Sequence, residues 1–242
     1  MHIFYTPLAN GAPRVLPPGE SRHCVRVLRL VPGDDITLVD GRGGLYHCRV
    51  TRADPDACEV TCIEKIEQHG KRDFSIHLAI APTKNNERLE WCLEKCTEIG
   101  IDEITPLLCE HSERKTVHRE RLEKIIIAAM KQSCKAYLPT LHPLAAYRDF
   151  IRDTPPAPGY IAHCAPGDRR PLHRACTPAT AVTLLVGPEG DFSPAEIRLA
   201  IDRGFLPVSL GDSRLRAETA GIVACHTVHL VNAIARPDTP SR

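Results

Sequence analysis

Residues 184–219 read LLVGPEGDFSPAEIRLAIDRGFLPVSLGDSRLRAET, and the rest of the chain can be interpreted around them. An apolar run at 182–186 has the length of a strand and stops at Gly187. A second short apolar run covers 206–210 and is followed by Gly211. With a helix between them, these runs predict a βαβ unit that places two glycine turns at one edge of a parallel sheet. Such an edge is where α/β folds bind ligands.

The segment between the two runs predicts a helix with defined ends. Ser193 is a preferred N-cap residue, Pro194 suits the first helical position, and Glu196 completes a capping box. Gly204 predicts the end of this helix. A further helix is expected from about Glu218, shortly after the second glycine turn. The alternation of strands and helices is typical of an α/β fold.

The segment that precedes this unit also alternates between strands and helices. Residues 74–81 predict a first strand, and 86–99 predict an amphipathic helix with an apolar stripe on one face. A second strand is expected over 101–108, where Pro106 indicates an edge strand or a bend. A third, at 159–164, ends in a loop.

The N-terminal part of the chain has a different pattern. Residues 36–39, 45–51 and 58–63 alternate or carry β-branched side chains, with turn residues between them, and they predict a small antiparallel barrel. Residues 21–30 instead show a helical period. The polar segment 64–73 predicts the boundary with the α/β part.

Composition narrows the cellular setting. The chain of 242 residues is 43% hydrophobic, enough for a sizeable core in one or two domains. No apolar run approaches the ~20 residues of a membrane span, and the N-terminus has no signal-peptide pattern, so a cytoplasmic protein without membrane contact is expected. The net charge of +1 gives no bulk attraction to nucleic acid. Any RNA contact must therefore rest on local clusters.

The eleven cysteines form no CxxC pattern and are odd in number. The pairs Cys58/Cys62 and Cys92/Cys96 have the spacing of strand and helix faces rather than that of a zinc site. We expect free thiols that act as small hydrophobic side chains in a reducing compartment, and no bound metal.

Two motifs carry a resemblance to a known family. GPEGDFS at 187–193 and LGDSRLRAETA at 210–220 resemble the two C-terminal signatures of the SPOUT-class RNA methyltransferases. Within that class the chain is similar to the enzymes that methylate N3 of uracil in small-subunit ribosomal RNA. Two further segments, 95–115 and 130–139, resemble the same family. Asp191 departs from the usual first signature, which has a second glycine there.

The resemblance implies a fold in two parts. It predicts an α/β domain over 73–242, with a SPOUT-type parallel sheet and a C-terminal trefoil knot. It also predicts a small PUA-like β-barrel over 1–70 that binds RNA. Nothing in periodicity or spacing indicates a knot, which rests on the resemblance alone.

Several basic residues are candidates for contact with RNA phosphates. Arg22, Arg26 and Arg29 follow a helical spacing and lie close to His23, and the family carries a similar helix. Such a run is more often only a solvated face. Residues 111–135 are also rich in basic side chains. The complete predicted set is Arg22, His23, Arg26, Arg29, Lys84, Arg114 and Lys135. Many family members have Arg at the position of Lys135.

The resemblance also implies the cofactor S-adenosyl-L-methionine. The two acidic residues in the first glycine turn disfavour a phosphate ligand and suit a sulfonium cation better. Carried over position by position, the cofactor-binding residues are His163, Cys164, Leu185, Val186, Gly187, Pro188, Glu189, Gly190, Leu210, Gly211, Leu215 and Arg216.

Methylation at uracil N3 requires removal of its proton and stabilisation of the anion that results. Arg216 is the candidate for stabilising the anion, because it follows the cofactor loop and precedes a helix. Glu218 or Glu189 could accept the proton. Glu218 is equally well explained as a first-turn acid that the helix dipole favours.

The predicted partners are 16S ribosomal RNA, within the small subunit, and a second copy of the chain in a homodimer. Two other functions fit the same residues. One is an RNA-binding assembly factor that keeps the fold without catalysis. The other is a related methyltransferase that modifies a ribose 2′-hydroxyl or guanine N1. The target atom follows from the resemblance alone.

Overall fold

The computed structural model describes residues 2–7, 14–154 and 158–236. The chain divides into two compact units, Met1–Lys71 with Ile127–Leu138 and Arg72–Ile126 with Pro139–Arg242. The sequence did not predict that the short segment 127–138 belongs to the first unit. The proposed domain limits at 70 and 73 stay a prediction.

The first unit is built on a four-stranded sheet in the order β1-β2-β3-β4. Its elements are β1 Ile3–Tyr5, α1 Pro18–Arg22, a π-helix His23–Val27, β2 Asp35–Val39, β3 Leu45–Arg52 and β4 Glu59–Ile66. The three predicted strands correspond to β2, β3 and β4, which pair in antiparallel fashion. Strand β1 pairs parallel to β2 and was missed, because three residues are too few to show a period.

The helix predicted over 21–30 is present over Pro18–Val27, but it changes form and ends earlier than expected. An α-helix of five residues passes directly into the π-helix, where the Leu28 N–H donates to the His23 carbonyl at 3.0 Å. Arg29 lies beyond the helix with φ of 57°. The even spacing of Arg22, Arg26 and Arg29 expected from a single α-helix is therefore interrupted. A π-turn has a different periodicity that sequence patterns do not reveal.

The segment 127–138 joins the first unit through the turn after β2. The Gly43 N–H donates to the Ala136 carbonyl at 2.9 Å, and the Leu138 N–H donates to the Gly41 carbonyl at 3.0 Å. Met130 packs in a small buried cluster with Val39, Leu45 and Ala136.

The second unit is an α/β fold around a parallel sheet in the order β10-β12-β9-β11-β5-β6-β7, with β8 also paired to β6. The predicted parallel sheet is thus confirmed. Its strands are β5 Ser75–Ile80, β6 Glu103–Leu108, β7 Thr140–Leu141, β8 Ala145–Ala146, β9 Gly159–Ala162, β10 Arg170–Pro171, β11 Ala181–Val186 and β12 Leu206–Ser209. Its helices are α2 Asn86–Ile99, α4 Tyr147–Asp153, α5 Leu172–Ala175, α6 Pro194–Asp202 and α7 Ala217–Ala235. Helix α3 Arg119–Gln132 begins in this unit, and its residues from Ile127 onward belong to the first unit. The trefoil knot stays a prediction.

Pro106 lies in β6, which has a neighbour on each side and is not an edge strand. On one side β6 pairs with β5; on the other, β7 covers Glu103 and Ile104, and β8 covers Leu107 and Leu108. The proline falls in the interval between these two short strands. A residue without an N–H can occupy this interval because the ladder is interrupted there.

Helices cover both faces of this sheet. Ile76, Leu78 and Ile80 are fully buried on the face that packs with α7, which also contacts α2. Gly221 permits this close approach, because a Cβ there would lie 3.0 Å from the Cys92 sulfur. The opposite face, covered by α4 and α6, carries a separate buried cluster that includes Ala79, Ala81, Leu107, Tyr147, Ile151, Ile161, Leu185, Phe192 and Ile197.

The helix ends follow the sequence closely. At α6, Ser193 and Glu196 form both hydrogen bonds of a capping box, as predicted. Helix α2 begins after Asn85, whose side chain accepts the Glu87 N–H at 2.9 Å, and it ends at Gly100. Cap residues satisfy backbone groups at the helix ends, which explains why these limits could be read from single positions.

All eleven cysteines are free thiols, and eight of them are buried. Cys24 and Cys58 lie with their sulfur atoms 3.8 Å apart in the core of the first unit. Burial raises the pKa of the Cys24 thiol to about 12, so it remains neutral. These side chains act as small hydrophobic residues, as expected. Among the described residues, no helix has both the length and the apolar character needed to cross a membrane.

Candidate functional site

The carboxyl ends of β9, β11 and β12 lie together, because these strands are parallel neighbours. The loops that follow them enclose a cleft of about 780 Å³. Its lining residues are Ala162, His163, Cys164, Ala165, Gly167, Arg169, Val186, Gly187, Pro188, Glu189, Asp191, Val208, Ser209, Leu210, Gly211, Asp212, Ser213, Arg214, Leu215, Ala217 and Ala220. The cleft has the size of a small-molecule site and lies at the edge that the two glycine turns predicted.

The two glycine turns require glycine for different reasons. At Gly187 a Cβ would meet the Phe192 ring at 3.0 Å and the Phe192 backbone nitrogen at 3.2 Å. At Gly211 a Cβ would have no atom within 4 Å, but φ is +118°. The first turn therefore needs glycine for packing, whereas the second needs it for its backbone conformation.

Asp191 connects two of the loops. Its Oδ2 accepts a hydrogen bond from the Cys164 N–H at 2.7 Å, and its Oδ1 accepts the Phe192 N–H at 2.8 Å. Its φ is 63°, in the left-handed region where glycine is more common but aspartate is tolerated. Asp191, which replaces the glycine of the family signature, thus places a carboxylate in the cleft. This carboxylate joins the loop after β9 to the loop after β11 through a hydrogen bond.

The first glycine turn is also held from its other side. Glu189 Oε1 accepts the Lys84 N–H at 2.9 Å, and the Lys84 carbonyl accepts from Arg114 Nη2 at 2.7 Å. His111 Nδ1 lies 3.0 Å from the Asp191 carbonyl oxygen and 3.2 Å from that of Gly190. These contacts fix the backbone of the turn before any ligand binds, which reduces the cost of ordering it.

His163 is a buried polar residue at the wall of the cleft, with 8% of its surface exposed. Within the described residues, neither ring nitrogen has a hydrogen-bond partner. Burial lowers the pKa of His163, Asp191 opposes this shift, and Arg169 adds to it. The ring is therefore neutral, with one donor and one acceptor that a ligand could satisfy.

The predicted cofactor residues are divided by the structure. Nine line the cleft: His163, Cys164, Val186, Gly187, Pro188, Glu189, Leu210, Gly211 and Leu215. Leu185, Gly190 and Arg216 are not among its lining residues, and Leu185 is fully buried in the core. Their assigned roles stay predictions.

Other lining residues were not predicted. Arg169 lies in a proline-rich segment without a recognisable motif. Asp212, Ser213 and Arg214 belong to the second signature, and their position within LGDSRLRAET could have indicated them.

Arg216 and Glu218 lie at the start of α7. Arg216 is the N-cap residue, and its exposed side chain makes no hydrogen bond or ion pair within the described residues. Glu218 is 6% exposed; its Oε1 lies 3.8 Å from Arg88 Nε, while its Oε2 has no partner in the described part of the chain. Glu218 does not line the cleft, whereas Glu189 does.

The basic residues predicted to contact RNA fall in both units. Arg22, His23, Arg26 and Arg29 are all exposed in the first unit, where Arg22 pairs with Asp56 at 3.5 Å. Lys135 belongs to the first unit, through the segment 127–138. Lys84 and Arg114 belong to the second, where Lys84 Nζ also pairs with Glu113 at 2.9 Å. Their role in RNA binding stays a prediction.

The family of this chain follows from comparison with known proteins. The model of an RNA methyltransferase domain matches residues 71–229, which contain the whole cleft, and an RNA methyltransferase PUA domain matches residues 16–62. The chain therefore belongs to the RNA methyltransferase family that these two domains define. The expected PUA-like domain is thereby confirmed.

Individual relatives carry a more specific name. A protein of Synechocystis sp. named ribosomal RNA small subunit methyltransferase E is 32% identical over 82% of this chain and 67% of its own length. The crystal structure of a probable rRNA-methyltransferase from Porphyromonas gingivalis is 42% identical, covers 98% of this chain and 100% of its own, and has a TM-score of 0.91. The ribosomal RNA small subunit methyltransferase E of Neisseria gonorrhoeae, solved bound to S-adenosyl methionine, is 28% identical, covers 96% and 98%, and has a TM-score of 0.80.

Proposed function

We propose that this chain is an S-adenosylmethionine-dependent methyltransferase that acts in the cytoplasm on N3 of a specific uridine in 16S ribosomal RNA. The main support is the cleft at the carboxyl edge of the sheet, which lies inside the segment matched by the RNA methyltransferase domain. The relative from Neisseria gonorrhoeae, bound to S-adenosyl methionine, supports the cofactor. The relatives named for small-subunit ribosomal RNA support the substrate.

The residues of the cleft fit this cofactor. Residues 186–189 and 210–211 border the cleft, and the unpartnered ring of His163 offers a hydrogen bond. Three acids line the cleft (Glu189, Asp191 and Asp212) against two arginines (Arg169 and Arg214), and this excess of negative charge disfavours a phosphate and suits a cation. When bound, S-adenosylmethionine would supply a methyl group on a positively charged sulfur. The protein would hold it in line with the acceptor nitrogen.

Arg216 would stabilise the uracil anion. A guanidinium is permanently charged and presents several donors, and this one is exposed, has no protein partner in the described residues and lies directly before α7. Such a group would stabilise the negative charge that develops on O2 and O4 of uracil. The stabilisation would be greatest when the bound RNA excludes water from the site.

Between the two candidate proton acceptors, we favour Glu189. Its carboxylate is exposed at the cleft, where a substrate can reach it, and one of its oxygens is positioned by the Lys84 N–H. Glu218 is buried next to Arg88 and does not line the cleft. A proton acceptor must lie within hydrogen-bond reach of the proton that it removes. The variants Glu189→Gln and Glu218→Gln separate the two: only the first should lose turnover when the cofactor is saturating.

We further propose that the protein acts as a homodimer through α7. Leu230 and Ile234 on this helix are 45% and 75% exposed, and their spacing of four residues places them side by side on one face, as in the apolar patches that mark protein interfaces. Light scattering of the purified protein would test this. Leu230→Glu should convert a dimer to a monomer, whereas a wild-type protein that is monomeric at micromolar concentration would refute it.

The function is tested by methylating ribosomal RNA from a strain that lacks the gene, with labelled cofactor, and mapping the product by nucleoside mass spectrometry. Label at N3 of a single uridine confirms the proposal. Label on a ribose hydroxyl or a guanine would show a methyltransferase with another target. Absence of cofactor binding by calorimetry would refute both methyltransferase assignments and favour the assembly factor, which has no use for an intact cofactor pocket.

A further inference from the structure

A second cavity, of about 550 Å³, lies at the opposite edge of the parallel sheet from the cofactor cleft. Its walls include Ser75, Glu103 and Ala181, the first residues of β5, β6 and β11, together with residues of α4. The cofactor cleft borders the carboxyl ends of strands, so the two sites lie at opposite ends of the sheet. Nothing in the methyltransferase chemistry uses this second cavity.

Three side chains in this cavity are suited to bind one metal ion. One ligand atom from each of His77, Glu103 and His142 lies within 4.8 Å of the other two. Zinc bonds of about 2.0–2.2 Å to nitrogen and oxygen require ligand atoms somewhat closer together than this limit. Small side-chain rotations would meet that requirement.

The backbone already fixes the three positions relative to one another. His77 in β5 is the register partner of Glu103 in β6, and Glu103 is the register partner of Thr140 in β7. His142 directly follows β7, and its N–H donates to the Ile104 carbonyl at 2.8 Å. Each ligand therefore comes from a different strand or strand end of one hydrogen-bonded sheet. A site built on rigid elements keeps its ligands in position without a large ordering cost.

The side chains around the cluster also suit a metal site. His77 Nε2 is 2.7 Å from Thr105 Oγ1, and the edge of its ring contacts Phe150 at a centroid distance of 5.4 Å. A ligating histidine usually has its other nitrogen hydrogen-bonded in this way. His142 Nε2 lies 2.7 Å from Glu103 Oε2, so these two groups already associate. The rings of His77 and His142 are 5.4 Å apart and tilted by 40°.

The other acids of the cavity are both engaged by one arginine. Asp149 and Asp153 both pair with Arg152, at 2.9 Å and 2.8 Å. Within the described residues, the carboxylate that faces two imidazoles is that of Glu103 alone. The ligand set is therefore two imidazoles and one carboxylate, which favours zinc and similar transition metals over magnesium or calcium.

We propose that His77, Glu103 and His142 form a binding site for a divalent transition-metal ion of the zinc class, separate from the cofactor cleft. Three protein ligands leave a fourth position for water or another small ligand. The ion would link β5, β6 and the end of β7. No sequence pattern indicates this site, because its ligands are 26 and 39 positions apart and share no motif.

The test is titration of the chelator-treated, reduced full-length protein with Zn²⁺ by calorimetry and with Co²⁺ by absorption spectroscopy. We expect one ion per chain and a Co²⁺ spectrum without the charge-transfer bands of thiolate ligands. Mutation of groups that only support a ligand already weakens metal binding about 10–100-fold. Glu103→Gln and His142→Ala should therefore weaken it at least as much.

The controls are Asp149→Asn, which removes a carboxylate of the same cavity, and His173→Ala, which removes an exposed histidine elsewhere. Both should bind as the wild type does. Circular dichroism shows whether each variant is folded, and His142 is exposed enough for its loss to be tolerated. Equal affinity in the wild type and in both ligand variants, or a spectrum dominated by thiolate bands, would overturn the proposal. So would binding that Asp149→Asn abolishes.

Discussion

The Asp191 carboxylate accepts a hydrogen bond from the backbone N–H of Cys164 at 2.7 Å, across 27 positions of sequence. This contact joins two of the loops that enclose the cofactor cleft. A glycine in place of Asp191 could adopt the same backbone conformation, but it could not make this contact. The loop after β9 is therefore held by a side chain that the usual family signature lacks.

We predict that Asp191→Ala weakens S-adenosylmethionine binding about 10–100-fold, since a hydrogen bond to a charged group contributes about 1.5–3 kcal/mol. Asp191→Gly loses the same bond but relieves the positive φ, so it should be more stable to urea than Asp191→Ala. Asp191→Asn keeps an acceptor and tolerates the conformation, so it should retain most affinity. Calorimetry and urea unfolding measure both quantities. An unchanged affinity in Asp191→Ala would show that the bond does not position the cleft.

For the glycine turns, we predict losses with different causes at the two positions. Gly211→Ala meets no neighbouring atom but places a Cβ at φ of +118°, so backbone strain of about 1–3 kcal/mol should lower the urea midpoint and weaken cofactor binding. Gly187→Ala places its Cβ against Phe192, so crowding of that ring should lower the urea midpoint and weaken cofactor binding. Calorimetry and urea unfolding measure both quantities. Wild-type stability and affinity in either variant would show that its turn does not require glycine.

Arg216→Ala should reduce single-turnover methylation about 10²–10³-fold at saturating cofactor and RNA, because the guanidinium is proposed to stabilise a developing anion. Arg216→Lys keeps the charge without the planar group and should recover only part of the rate. Cofactor affinity should change much less than the rate, because Arg216 does not line the cleft; a large loss of affinity would instead support its predicted role in cofactor binding. If Arg216→Ala binds RNA poorly yet reaches the wild-type maximal rate, the residue serves to dock the substrate.

In the first unit, simultaneous replacement of Arg22, Arg26 and Arg29 by alanine should weaken RNA binding and make it less dependent on salt. Removing one contact to a phosphate makes the slope of log affinity against log salt shallower by about one unit. Arg22 pairs with Asp56, so it should contribute the least of the three arginines to the change in slope. The triple variant of Arg49, Arg52 and Lys65, which pair with acids in the same unit, is the matched control. Identical slopes for both triple variants would show that the three arginines form only a solvated surface and do not contact RNA phosphates.

His77 should make stability depend on pH. Burial lowers the pKa of His77 to about 4, with Glu103 opposing the shift and His142 adding to it, whereas the ordinary value is 6.5. The unfolded chain therefore binds more protons between these values. The stability due to the neutral ring is complete above about pH 6.5 and is lost as the pH falls towards 4. Urea midpoints in the presence of chelator should fall more steeply over this range for the wild type than for His77→Gln. Parallel curves would contradict the assignment.

Local features of the fold could be predicted where one residue determines one structural outcome. Ser193 with Glu196 predicted the start of α6, and the apolar stripe from Leu89 to Cys96 predicted α2. The π-helix at His23–Val27 could not be predicted, because a change from α to π pairing leaves the residue types unchanged. The edge strand predicted from Pro106 was wrong, because the proline is accommodated by the gap between β7 and β8, which lie more than thirty positions further along the chain.

The site was predictable in the same uneven way. Both glycine turns were found from motifs, and the structure places them at one cleft. Two other features depend on contacts between distant segments. One is the hydrogen bond between Asp191 and Cys164, and the other is the cluster of His77, Glu103 and His142. Composition and spacing do not carry such information, whereas strand register does.

Gly221 also constrains how this chain can diverge. A methyl group at this position would lie 3.0 Å from the Cys92 sulfur and 3.1 Å from Ile80 Cδ1, so there is no room for it while both neighbours keep their size. A gain in volume on α7 has to be matched by a loss on α2 or β5. Positions 221 and 92 should therefore covary among homologues, with small residues alternating between them. The double variant Gly221→Ala/Cys92→Ala should therefore have a higher free energy of unfolding than Gly221→Ala alone. Its loss of stability should also be smaller than the sum of the losses in the two single variants.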